Sequence, residues 1–142
     1  MSIRPAQNED LELFEGSTFD ETWTIRDADG EPLWTDPTDW SGKLQVRQEA
    51  SESSAVILTL SKIAGVGDPP TTSGLVFSAN GVVRVYITDE DLAALNASQF
   101  ALVREEGEVS YQAKWDFETE NPDGERVREM MGTVFFSPEV TR

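Results

Sequence analysis

The chain has 142 residues, a length that suits one domain burying roughly 68–70% of the surface its unfolded form exposes. It contains no cysteine and no histidine, which excludes disulfides, thiolate metal centres, His-ligated zinc and the histidine-based nucleophile systems of hydrolases. The formal charge is −16, with 11 acids against 2 bases in residues 1–40, three of each in 41–80, and 13 acids against 6 bases in 81–142. A field of that sign repels phosphate backbones and anionic lipid, so neither nucleic acid nor a membrane is an expected partner. Apolar runs such as Ala55 to Leu58 are far too short to span a bilayer, and the opening Met1-Ser2-Ile3-Arg4-Pro5 leads into polar residues, which predicts a soluble chain made in the cytoplasm.

Residues 1–9 have no periodicity and include Pro5, which predicts an extended N-terminal arm that orders on a partner. Residues 10–142 read as a single domain. In "LELFEG" (11–16), Leu11 and Leu13 alternate with Glu12 and Phe14. In "FDETWTI" (19–25), Phe19, Trp23 and Ile25 share one face. Period two over residues of this kind predicts half-buried strands. "DADGE" (27–31) is a turn, and residues 32–42, with Pro32, Pro37 and Gly42, form an irregular connector. "KLQVRQE" (43–49) points Leu44 and Val46 inward and Lys43, Gln45 and Arg47 outward, and pairs with "AVILTL" (55–60) as a hairpin. Residues 61–74 are a Gly- and Pro-rich surface loop.

"LVFSANGVVRVYIT" (75–88) carries Asn80-Gly81, the dipeptide of a two-residue type I′ hairpin turn. "TDEDLAAL" (88–95) predicts the one helix, two turns at most, with Thr88 as N-cap and acids at the positive end of its dipole. "FALV" (100–103) is a further candidate strand. "YQAKWDFET" (111–119) sets Tyr111, Ala113, Trp115 and Phe117 against Gln112, Lys114, Asp116 and Glu118. After the turn "NPDGER" (121–126), residues 127–140 pair back as a long strand in which Gly132 marks a bulge or a close contact. Eight or nine short strands, one helix and regular turn signals predict an all-β, immunoglobulin-like β-sandwich with one short helix.

Chemistry is sparse in this pattern. Asp27, Asp29 and Glu31 offer oxygen ligands at alternate positions. They lack the third acid before the glycine and the later bidentate Glu of a helix-flanked calcium loop, so they read first as a solvated turn and only weakly as a metal site. No cofactor motif is present: the glycines of "AGVGD" (64–68) are followed by no lysine and open no helix. Trp23 and Trp115 occupy inward strand positions and belong to the core. Trp34 and Trp40 lie in the connector, where no periodicity places them; they either plug the end of the sandwich or anchor a partner, tryptophan being enriched at interface hot spots. With the arm residues Ile3, Arg4 and Pro5, they are the candidate interface residues.

The order of "DLELFEGSTFDETWTIRDADGEPL" (10–33), "WSGKLQVRQ" (40–48), "GVVRVYITDEDLAAL" (81–95), "SYQAKWDFET" (110–119) and "GTVFFSPEVTR" (132–142) resembles the small immunoglobulin-like β-sandwich virion proteins of tailed bacteriophages. The resemblance runs nearly end to end. It implies a structural, non-enzymatic role as a tail or baseplate component or a head decoration, in the virion after synthesis in the host cytoplasm. It also implies other capsid, tail or baseplate subunits as partners, and homo-oligomeric or lattice-bound assembly. It brings no catalytic residues. The connector 32–40 with its two tryptophans and the expanded 61–79 region depart from the pattern, so no binding surface carries over. The alternative from a different class is a carbohydrate-binding or host-surface adhesion module.

Overall fold

The computed structural model describes residues 7–49 and 54–138 of the chain. Through them run strands β1 (Gln7–Asn8), β2 (Leu11–Phe14), β3 (Phe19–Thr24), β4 (Ser41–Arg47), β5 (Val56–Ser61), β6 (Gly74–Ser78), β7 (Val82–Ile87), β8 (Ala101–Glu105), β9 (Glu108–Glu120) and β10 (Arg126–Ser137). Helix α1 (Asp89–Ala93) and a 3-10 turn (Ala97–Gln99) separate β7 from β8. The fold is an all-β sandwich of two sheets. The smaller has the order β3-β7-β6, all antiparallel. The larger has the order β5-β4-β9-β10; β1 and β2 run parallel to β10 along its far side, and β8 pairs with the first part of β9. Lettered in the immunoglobulin way, the small sheet is B-E-D and the large one C′-C-F-G, the strand order of a variable-type domain.

Alternation decides which side chains the two sheets enclose. Leu44 and Val46 of β4, Ala113, Trp115 and Phe117 of β9, and Val134 and Phe136 of β10 are buried, and they face Trp23, Val83, Val85 and Phe77 of the small sheet within one core. In antibody domains a disulfide joins the strands in the B and F places. In this chain without cysteine, Trp23 of β3 and Trp115 of β9 bring their ring centroids within 5.4 Å, and Phe117 lies 6.0 Å from Trp23. Large aromatic area and offset packing hold the sheets together at that point.

The short helix starts as the sequence predicts, with Thr88 Oγ1 accepting from the Asp91 amide at 3.1 Å. Asn80 and Gly81 both take positive φ, 62° and 78°. The paired residues Ser78 and Val82 enclose three residues, so the loop is one longer than the Asn-Gly dipeptide alone predicts. A β-carbon on Gly81 would lie 2.5 Å from the Ile25 carbonyl oxygen; the bare backbone lets this turn sit against the connector.

Two features of the long hairpin differ from simple alternation. The register of β10 shifts between Arg128 and Met130, so the bulge is there and not at Gly132. Gly132 is instead a close contact, since a β-carbon on it would fall 1.7 Å from the Glu9 carbonyl oxygen. Of the predicted arm, Gln7 and Asn8 pair with Met130 and Met131, and the Glu9 amide donates to Met131 O at 2.9 Å; residues 1–6 lie outside the described residues.

Candidate partner interface

The connector between β3 and β4 is folded onto the end of the sandwich. Trp34 is 4% exposed, stacks on Phe77 at 5.1 Å and 19°, and donates its indole N–H to Ser78 O at 2.7 Å. Its ring therefore plugs the core and does not present a surface to a partner. Trp40 packs on Trp34 with centroids 5.2 Å apart and is half-buried, so it is the member of the pair that solvent reaches. Lys62 pins the same segment. Its ammonium donates to Trp40 O at 2.7 Å, Pro37 O at 2.9 Å and Thr38 O at 3.3 Å, and lies 5.4 Å from the centre of the Phe77 ring. Asp36 caps the turn: the Thr38 hydroxyl and amide donate to its Oδ1 at 2.6 and 2.9 Å and hold its carboxyl below the usual aspartate range.

The acidic turn at 27–31 is built around its first residue. Asp27 Oδ1 accepts from the amides of Asp29 and Glu31 at 2.9 and 3.0 Å, while Gly30 takes a φ of 84°. Residues 121–125 repeat the design, with Asn121 Oδ1 accepting from Asp123 and Glu125 at 3.0 and 2.9 Å and Gly124 also at 84°. These are Asx turns that satisfy their own amides. Among the described residues no three acidic groups, Asp27, Asp29 and Glu31 included, gather closely enough to hold a metal ion. The arm candidates Ile3, Arg4 and Pro5 lie outside the described residues.

The outer face of the large sheet, which no motif singles out, is the most distinctive surface. Across β10, β9 and β4 the pairing register sets side by side Thr133, Lys114 and Arg47; then Met131, Asp116 and Gln45; then Arg128, Glu118 and Lys43; then Arg126, Glu120 and Ser41. Of the chain's 11 basic residues, Arg4 and Arg142 lie outside the described segments, and five of the remaining nine stand in these four rows, against three acids. Arg128 pairs with Asp116 at 3.2 Å and Arg126 with Glu120 at 3.1 Å. A shallow hollow of about 60 Å³ opens between Arg47, Lys114, Arg128 and Met131, with Glu49 and Asp116 also in its wall.

Alternation in "KLQVRQE" and "YQAKWDFET" signals the outward Lys43, Arg47 and Lys114. Arg128 is outward because of the bulge. Strict alternation back from Phe136 points Arg128 inward and Glu129 outward; the register shift reverses both. Glu129 is consequently 5% exposed and accepts a hydrogen bond from the buried Thr119 hydroxyl.

On the opposite sheet, Arg84 of β7 grips Asp20 of β3 in a two-pronged pair, 2.9 and 2.7 Å, and reaches Asp68 at 3.0 Å. The guanidinium hydrogen bond holds the Asp20 carboxyl below its ordinary value. No protein-family model matches the chain, and no curated protein matches it.

Proposed function

We propose that this protein is a non-enzymatic structural component of a tailed-phage virion, a tail or baseplate subunit or a head decoration, that assembles through protein–protein contacts. The virion part of this reading rests on the order of strand and turn motifs along nearly the whole chain. The assembly part rests on one observation: a chain of charge −16 presents a sheet face with five bases against three acids. Segregation of this kind gives subunits that repel over most of their surface and attract in one orientation. The acidity keeps single subunits apart in solution, and many weak contacts on a lattice then act together.

A carbohydrate-binding or adhesion module needs an exposed aromatic platform, and the connector supplies little of one, with Trp34 buried and Trp40 half-buried against it. The test is quantitative mass spectrometry of purified particles from the source. Copies in fixed ratio to the major capsid protein support the reading, hundreds indicating a head or tube lattice and a few to a few dozen a baseplate or vertex. Absence from particles, together with sugar-dependent quenching of tryptophan fluorescence, would move the adhesion reading to the front.

A further inference from the structure

We infer that the outer face of β10, β9 and β4 receives the acidic β8–β9 hairpin of a second copy of this chain, an inference that rests on the assembly role proposed above. The face carries Lys43, Arg47, Lys114, Arg126 and Arg128 in adjoining rows. One partly exposed apolar residue, Met131 on β10, lines the hollow at its centre.

The hairpin is acidic at its tip, with the exposed Arg104, opposite Val109, as the base on its strands. Its tip holds Glu105, Glu106 and Glu108 around Gly107, with Glu106 and Gly107 at φ 48° and 84°. β4 pairs with β9 only from Lys114 onward and β10 only from Tyr111 onward, so residues 108–110 of β9 and residues 103–105 of β8 form a two-stranded tip that projects beyond both. Leu102 and Val109 on this hairpin are about half exposed and give it an apolar stem below the charged turn. The other acidic turns are less suited, because Asp27 and Asn121 bind their own amides.

Within one copy the tip and the face cannot meet, since β9 runs unbroken from Glu108 to Glu120 through both. The contact is therefore between copies and joins two different surfaces. Such a head-to-tail contact closes into a ring or propagates as a filament, according to the rotation between neighbours. Charge-led contact fixes orientation more than it raises affinity, so each junction is weak alone and strengthens with copy number.

The experiment is sedimentation velocity on the full chain from about 1 µM to about 1 mM, at physiological and at about 1 M salt. Three variants accompany the natural chain: Lys114→Glu with Arg128→Glu, Glu106→Lys with Glu108→Lys, and all four together. The expected result is reversible association that high salt weakens. Either pair of reversals raises the half-association concentration about tenfold or more, and the four-fold variant recovers most of the loss. Should a reversal pair fail to fold, judged by its melting curve, Lys114→Gln with Arg128→Gln takes its place. A chain that stays monomeric throughout, association indifferent to the reversals, or a four-fold variant without recovery would each overturn the inference. Particle mass spectrometry reports separately on the virion reading, which survives if the chain is found in particles but does not bind itself in this way.

Discussion

The carbonyl oxygen of Glu9 occupies the space that a β-carbon on Gly132 would fill, 1.7 Å from its position, and from there it accepts the indole N–H of Trp115 at 2.9 Å. The amino-terminal segment is thus latched through a gap in β10 to a core tryptophan on the neighbouring strand. Gly132→Ala forces Glu9 away and costs about 1–3 kcal/mol in urea unfolding, from overpacking and from a buried indole donor left unmade. The Glu9 amide, which donates to Met131 O, loses its protection from hydrogen exchange in the same variant. Full protection of that amide in Gly132→Ala would show that the latch does not pass through this gap.

Trp34 is a core residue supplied by a connector. Trp34→Ala is expected to lower stability by about 3–5 kcal/mol, as for other buried aromatic truncations. Trp40→Ala costs roughly half as much, because its ring is only partly covered. Chemical denaturation of the two single variants measures the difference. Equal and negligible losses would mean that neither ring supports the sandwich and that both are open to a partner.

Lys62 holds three carbonyls of the connector with one ammonium. Lys62→Met keeps much of the aliphatic stem and removes the donors, leaving Pro37 and Trp40 carbonyls unmatched at a cost of about 1–3 kcal/mol. The disturbance stays local, so tryptophan emission shifts to longer wavelength while far-ultraviolet circular dichroism keeps its β signature. Unchanged emission would show that Trp40 is held without Lys62.

Asp20 and Arg84 make stability depend on acid. The carboxyl of Asp20 titrates lower in the folded chain than in the unfolded one, owing to the Arg84 hydrogen bond. The pair therefore contributes in full above the unfolded value of about 3.9, and the contribution disappears as pH falls through the lower folded value. Relative to the natural chain, Asp20→Asn is expected to have a lower melting temperature at pH 7, with the difference shrinking as pH falls below ~4. A difference independent of pH would assign the effect to packing or shape instead of charge.

Much of the fold is legible locally, and the candidate surface is not. Alternation from Tyr111 to Thr119 identifies the inward Trp115 and Phe117 because side chains of a strand point to opposite faces whatever its neighbours are. Thr88 announces the helix, and Asn80-Gly81 the hairpin, because both act through their own backbone. Trp34 gives no such signal. Its burial depends on Phe77 and Ser78, more than forty residues away, and on a lysine that ties down the turn between.

The sequence by itself determined an acidic, cysteine-free β-sandwich with known inward faces, since composition and period are properties of the chain alone. Tertiary structure decided which outward residues stand together. Lys43, Lys114 and Arg128 come from three segments, and only the pairing register, with a bulge that turns Arg128 out and Glu129 in, gathers them on one face. Register is a non-local choice, set by which buried side chains fit across two sheets, and a one-residue slip sends every side chain to the other side.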